Sequence, residues 1–249
     1  MRRSHAGCTV GNVSWNGAYL ELLRPFELTR AGTAVPLSRG AQRLLAFLAL
    51  QSDGAPRCAI AEQLWPDCTP SRAAANLRSA LCQGRRTGNV TVVDSTGQRL
   101  LLSSAIRVDL HRAWASARQI IDESMSLPSG WDRLVDELSR ELLPGWTEDW
   151  LLLERDRWNQ MRVYALESLA QQLQQRQHYL PALQAALAAI AVDSFRETAY
   201  RIVIEVHLAE GNVASAIKRY RDYRAYLRRE LNVPPSSRMT QLMRDLTPT

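Results

Sequence analysis

The side chains best equipped for chemistry in this chain lie between Thr69 and Arg86, in the run TPSRAAANLRSALCQGRR. Apart from one thiol, they are guanidinium, carboxamide and hydroxyl groups with no carboxylate among them, a set that offers positive charge and hydrogen-bond donors rather than acid–base pairs. At about 100° per residue, Ala74, Leu77 and Leu81 fall on one helical face. Arg72, Asn76, Ser79, Gln83 and Arg86 fall on the opposite one, with Arg78 and Arg85 at its flanks. Guanidinium and carboxamide groups pair two-pronged with guanine and adenine edges in a major groove, and flanking Arg or Ser suits phosphates. Arg72, Asn76, Ser79 and Gln83 are thus candidate base readers, and Arg78, Arg85 and Arg86 candidate phosphate contacts. A solvated face on an ordinary amphipathic helix has the same pattern, so the neighbouring elements must decide.

Those neighbours give the stretch a frame. Thr69 is placed to N-cap the helix, with Pro70 at the first helical position, where its missing N–H costs nothing. Upstream, Arg57–Trp65 carries Ala59, Ile60 and Leu64 at core-facing spacing, and Pro66-Asp67 forces a turn. Downstream, the β-rich runs Val90–Val93 and Arg99–Leu102 flank the turn Asp94-Ser95-Thr96-Gly97. Helix, turn, helix and hairpin in that order predict a winged helix, with Arg99 as the candidate wing contact.

Charge is divided unevenly between the halves. Residues 1–110 hold thirteen arginines against seven acids, whereas residues 111–249 hold eighteen of each sign. The whole net charge of +6 therefore sits in the half with the arginine-rich helix. Neutralising phosphates releases their condensed counterions, so this asymmetry favours a polyanion partner for the N-terminal half.

In chain order, residues 1–17 read as a flexible tail. AYLELL, PFELTR and TAVPL read as short antiparallel strands around an Ala31-Gly32 turn, and Ser38 caps a helix with Ala41, Leu44, Leu45 and Leu48 as its apolar stripe. Val108-Asp109-Leu110 marks the exit of this domain. Beyond it only helical periodicity remains: Trp114, Ala117 and Ile121 mark one helix and Leu134 and Leu138 another. A long helix passes through Leu153, Trp158, Met161, Ala165, Leu169 and Leu173, and a last short one carries Met239, Leu242 and Leu246. An offset of 34 residues pairs Ala182 with Ala216, Ala186 with Tyr220, Ala189 with Tyr223, Leu169 with Val203 and Gln177 with Gly211. That is the tetratricopeptide period; with only two units, a helical bundle with accidental spacing is the alternative, and either arrangement serves protein contacts.

Leading strands, helix, helix-turn-helix and hairpin together resemble the OmpR-like winged helix of response-regulator effector domains. Leu64-Trp65-Pro66-Asp67 and Ala75–Leu81 (ANLRSAL) are similar to the helix-turn-helix of the Streptomyces antibiotic regulatory protein family. Leu142–Trp146 (LLPGW), Asp149-Trp150, Phe195-Arg196-Glu197, His207–Asn212 and Glu230-Leu231 before Pro235-Ser236 resemble that family's bacterial transcriptional activator domain. The resemblance covers about residues 18–246 and implies an α+β, OmpR-like winged helix (18–110) followed by an all-α, tetratricopeptide-like activator domain (111–249). It implies a pathway-specific activator of a secondary-metabolite (antibiotic) gene cluster. Such a protein binds direct repeats in double-stranded promoter DNA near the −35 region as a head-to-tail dimer, and recruits RNA polymerase holoenzyme through sigma region 4. Two positions depart from the family pattern. Gly84 stands where an apolar residue is usual and costs about 0.5 to 1 kcal/mol against Ala in a helix, so the reading helix is expected to fray or end there. Ser194 replaces a proline.

Other chemistry finds little support in the residues. No GxxxxGK[ST] loop is present, and no acidic-pocket pattern of a receiver domain precedes the winged helix. His5, His111, His178 and His207 are scattered, His207 reading as a packed, hydrogen-bonded side chain. Glu148, Asp149, Glu154 and Asp156 interleave with Arg155 and Arg157 as surface ion pairs. Cys8, Cys58, Cys68 and Cys82 lack zinc-ligand spacing and read as reduced thiols. The expectation is a non-enzyme with no cofactor, metal or membrane span, cytoplasmic and nucleoid-associated. The competing reading is a helical-repeat scaffold or sensor whose winged helix contacts protein.

Overall fold

The computed structural model describes residues 17–87, 90–122 and 130–244, excluding the side chains of Arg86 and Thr87. Residues 1–16 of the expected 1–17 tail, the proposed role of the Arg86 side chain and the packing of Leu246 lie outside these residues. Two compact units are present, residues 1–109 and 110–249.

The first unit opens with β1 (Ala18–Glu21), β2 (Glu27–Arg30) and β3 (Thr33–Ala34), an antiparallel meander as the alternation of AYLE and ELTR requires. Its other edge is closed by β9 (Ile106–Val108), which runs parallel to β1 and pairs Ala18 with Ile106 and Leu20 with Val108. The segment expected to be only an exit thus completes the first sheet. Asp109 locks this closure: buried at 6% exposure, its carboxylate accepts the N–H groups of Leu22 and Leu23 at 2.8 and 2.9 Å. A charged acceptor on two otherwise orphaned backbone donors is among the stronger hydrogen-bonding arrangements.

Between β3 and β9 lie α1 (Arg39–Ala49), β4 (Ala55–Pro56), α2 (Arg57–Leu64), α3 (Pro70–Gly84), β5 (Arg86–Thr87), β6 (Val90–Thr91), β7 (Val93–Thr96) and β8 (Arg99–Leu102). Ser38 caps α1 by accepting from Ala41 N–H. The hairpin β7–β8 pairs Thr96 with Arg99, so its two-residue turn is Gly97-Gln98 rather than the expected Asp94–Gly97. Asp94, Ser95 and Thr96 belong to the strand because its partner is long enough to carry them. β8 also pairs with β4, forming a three-stranded sheet. Gly54, just before β4, has φ +62°, and a Cβ there would stand 2.3 Å from the Leu100 carbonyl oxygen.

The second unit is all-helical among its described residues. Helix α4 (Asp109–Ile121) buries Ala113, Ala117 and Ile120, while Ile121, expected inside, is 36% exposed. α5 (Trp131–Leu138) precedes the LLPGW turn, which α6 (Leu152–Gln175) braces. Arg155 donates to the carbonyls of Leu142 and Leu143, Trp158 Nε1 to that of Arg140, and the buried Arg162 to those of Ser139 and Arg140. Arg155 therefore satisfies turn carbonyls instead of joining the expected surface ion pairs; Arg157 does pair with Glu154, at 2.7 Å. Burial pushes Arg162 below the usual arginine pKa, against the opposing charge of Glu141.

The 34-residue offset is structural. α6 and α7 (Tyr179–Val192) form one antiparallel pair, and α8 (Glu197–Ala209) and α9 (Val213–Leu231) the next. Each first helix ends in the same cap: His178 N–H reaches Leu173 O at 2.9 Å and Asn212 N–H reaches His207 O at 2.7 Å. The intervening residues, Gln177 and Gly211, take left-handed φ of +62° and +77°. Ala182 and Ala216 are both fully buried where the helices touch, as are Leu169 and Val203. The run Phe195-Arg196-Glu197 ties the pairs together. Phe195 stacks on Tyr226, and Arg196 pairs two-pronged with Glu167 at 2.9 and 3.1 Å, which raises its pKa above the ordinary value. Glu197 accepts from Ser236 at the start of α10 (Ser237–Arg244). α10 seals the array by burying Met239 and Met243 against Ile204, Tyr223 and Leu227. His207 is half-buried, but its Nδ1 is buried without a hydrogen-bond partner, contrary to expectation. Among the described residues no helix is long and apolar enough to cross a membrane.

Gly54→Ala is expected to destabilise the protein by at least about 2 kcal/mol, through left-handed strain and a collision with backbone that cannot move aside. Urea unfolding of the two proteins checks this.

Candidate nucleic-acid interface

The helix-turn-helix is punctuated by its own sequence. The residue before a proline avoids helical φ and ψ, and Trp65, at φ −135° and ψ 61°, ends α2 ahead of Pro66. A short turn follows, with Cys68 N–H donating to Trp65 O at 3.1 Å, and α3 begins at Pro70. Thr69 occupies the cap position in extended geometry, but its side chain makes no capping bond. Its hydroxyl instead shares a hydrogen bond with Ser71 Oγ at 3.3 Å.

α3 buries Ala73, Leu77, Ala80, Leu81 and Gly84. Gly84 is the last residue of an intact helix, and a Cβ on it would lie 3.4 Å from Ala41 Cβ of α1. The helix ends there as expected, and the glycine permits a close approach to α1. Ala73 and Ala80, rather than Ala74, form the core side with the leucines, which turns the buried face by about 50°, half a residue step. Beyond its first residue, Pro70, the exposed residues of α3 are consequently Ser71, Arg72, Ala75, Arg78, Ser79, Cys82 and Gln83.

Among the candidate base readers, Arg72, Ser79 and Gln83 are exposed on one connected surface. Asn76 sits at its edge, half-buried, with Nδ2 directed to Cys68 Sγ at 3.7 Å. Ala75 and Cys82 occupy the centre of the outward face. Their types give no hydrogen-bonding signal, so polarity alone misses them, although their seven-residue spacing puts them on one stripe. Arg78 is exposed on the opposite flank, and Arg85, the C-cap residue, is exposed at the helix end. Neither they nor Arg72 has a charged partner among the described residues. The arrangement is a narrow, uncharged central strip between guanidinium groups, suited to lie along a groove with phosphates on both sides.

At the wing, the exposed Arg99 also has a role inside the protein. Its Nη2 donates to the carbonyls of Asp53 and Gly54 at 3.1 and 2.8 Å, bracing the loop before β4. Arg57, not singled out by the sequence, links the wing to α2: its Nη2 donates to Ser95 Oγ at 3.1 Å and its N–H to Gln98 O at 3.0 Å. The separation of 38 residues between Arg57 and Ser95 explains why no local signal marks the pair. The hairpin tip, Thr96-Gly97-Gln98, is exposed and uncharged. Among the described residues, Cys58, Cys68 and Cys82 are free, and no cluster of three His, Cys, Asp or Glu could hold a metal.

Comparison with known proteins adds three findings. Residues 93–247 match the profile of the family described as bacterial transcriptional activator domain. Over 114 residues the chain is 32% identical to the transcriptional regulatory protein MoaR1 of Mycobacterium bovis, and equally to that of Mycobacterium tuberculosis, covering 42% of this chain and 35% of each relative. The chain thus spans about a third of the length of the curated relatives it matches. Its fold is similar to that of Mycobacterium tuberculosis EmbR, solved in complex with a low-affinity phosphopeptide. The TM-score is 0.73 at 18% identity, covering 92% of this chain and 65% of that one.

Arg99→Gln is expected to loosen the wing, with a stability loss of about 1 kcal/mol for exposed charge-assisted bonds and faster amide exchange at Leu100–Leu102. Weaker DNA binding with unchanged exchange would instead mark Arg99 as a direct phosphate contact.

Proposed function

Because the chain belongs to the bacterial transcriptional activator domain family, the one to which its Leu-Leu-Pro-Gly-Trp and Phe-Arg-Glu motifs pointed, we propose that it is a sequence-specific, DNA-binding transcriptional activator. The observation that carries this reading is the exposed face of α3. Arg72, Ser79 and Gln83 present donors on one surface, Arg78 and Arg85 offer unpaired positive charge beside them, and no acidic residue interrupts the helix. In this reading Arg72 and Gln83 pair with base edges and Ser79 contributes a shorter contact. Asn76 joins by giving up its sulfur contact, which is weak enough for a base edge to replace. Arg78, Arg85 and Arg86 hold phosphates, and Ala75 and Cys82 keep the strip low enough for close approach. The domain division that goes with this is a DNA-binding part over residues 18–110 and an activator part over 111–249.

The finer functional picture comes from the motif resemblance. The protein acts on a secondary-metabolite gene cluster and binds direct repeats near the −35 region as a head-to-tail pair. It recruits RNA polymerase through sigma region 4, working in the cytoplasm on the nucleoid. Direct repeats suit a head-to-tail pair because each protomer then meets its half-site in the same orientation.

Gel shifts with promoter fragments, excess nonspecific DNA and a salt series test the proposal. Arg72→Ala and Gln83→Ala are each expected to weaken a preferred promoter by about 1 to 3 kcal/mol and to relax its sequence preference. Arg78→Ala and Arg85→Ala should weaken all sequences equally and lower the salt slope by about 1 each. Binding that is sequence-blind in the unaltered protein would overturn the activator reading in favour of a protein-binding scaffold.

A further inference from the structure

The neutrality of the helical unit conceals a separation of charge along it. Residues 110–212 carry ten arginines against fifteen acids, whereas residues 213–244 carry eight basic residues against two acids. The positive excess thus falls on α9 and α10, the last two described helices of the array.

On α9 the cations are arranged, not scattered. Ala216, Tyr223 and Leu227 are buried and fix which side of the helix faces inward. Lys218, Arg221, Arg224 and Arg228 are all exposed on the outward side. At 1.5 Å per residue they extend over about 15 Å of helix. None makes an ion pair among the described residues; Arg229, by contrast, is held by Glu230 at 2.7 Å. Arg228 lies in the last turn and would favour the helix macrodipole, but Lys218, Arg221 and Arg224 lie too far from the C-terminus for that. Four like charges on one face, none of them ion-paired among the described residues, repel one another and leave the face open to an external anion.

The composition of the face selects which anion. The residues between these cations are Ala225 and, at the margin, Asp222, and the exposed large apolar side chains of α9, Val213 and Leu231, stand only at its two ends. A protein partner needs an apolar or aromatic centre to anchor on. Phosphates need only charge and donors at intervals. We propose that the Lys218–Arg221–Arg224–Arg228 face is a second, sequence-independent contact for the phosphate backbone of DNA, separate from the base-reading helix. The inference rests on the DNA-binding reading above, but assigns to the helical unit a role that reading does not include. It supplies affinity without specificity, so its loss weakens operator and random DNA by the same factor.

The test uses the full chain with Lys218, Arg221, Arg224 and Arg228 all changed to Gln, titrated against a preferred promoter fragment and a random duplex over a salt series. Each phosphate contact contributes about 0.9 to the slope of log K against log salt. The expected result is a slope shallower by about 2 to 3 on both duplexes, with an unchanged ratio of the two affinities. A companion in which the three arginines become Lys should retain most of the slope, and circular dichroism melting verifies that both variants fold. An unchanged slope overturns the proposal. So does a loss confined to the promoter fragment, and so does intact DNA binding with weakened RNA polymerase binding, which would make the face a site for an acidic protein. If the unaltered protein shows no promoter preference, the activator reading fails, while the slope on random DNA still decides this proposal.

Discussion

The exposed surface of the first unit depends on how closely α3 lies against α1. A Cβ placed on Gly84 would stand 3.4 Å from the Ala41 methyl, and one placed on Gly40 would stand 3.7 Å from the Trp65 ring and 3.8 Å from the Ala80 methyl. Side chains this small leave no room for rotation about the seam, because tightly packed interiors do not deform continuously. The angle at which α3 is seated therefore decides which residues face outward. A side chain longer than alanine at 84 would press on Ala41 and Leu45 and so on the seating of α3.

The wing and the first sheet are held by polar contacts that reach far along the chain. Asp109 closes the unit by binding two N–H groups some 87 residues earlier, and Arg99 satisfies two carbonyls 45 and 46 residues earlier. Both use an ion to satisfy paired backbone groups of the opposite polarity, an arrangement stronger than neutral hydrogen bonds. Such contacts convert a set of short strands, marginal on their own, into a frame rigid enough to present a helix.

In the second unit, repetition does comparable work. Two helical pairs end their first helices in the same hydrogen-bonded cap, and small or apolar residues meet at equivalent places. Each pair leaves an apolar side that its neighbour covers, and α10 covers the last one with Met239 and Met243. The motif residues that carried the family resemblance are mostly structural: the LLPGW carbonyls receive the donors of α6, and Arg196 and Glu197 join one helical pair to the elements around it.

Much of this organisation was legible in the sequence because it is local or periodic. Pro66 and Pro70 bracket the turn between α2 and α3, Ser38 starts α1, and the 34-residue offset fixes the helical repeat, since backbone preferences and repeat lengths act over a few residues at a time. The family motifs were equally readable, as they are strings of residue types. The facing of α3 was not, because Ala73 and Ala74 are identical in type and only contact with α1 and α2 selects between them. Nor could the sequence show that Arg99 and Arg155 donate to backbone carbonyls, that β9 returns to pair with β1, or that Gly84, besides ending α3, faces Ala41 of α1. Each of these is decided by groups far apart in the chain. The same limit hid the basic face of α9, since a sum over the half-chain averages away charges that folding sorts onto one side of one helix. Element types and their order thus follow from short-range chemistry, whereas which side chains remain free to meet a partner is settled only when distant backbone and side-chain groups have claimed the others.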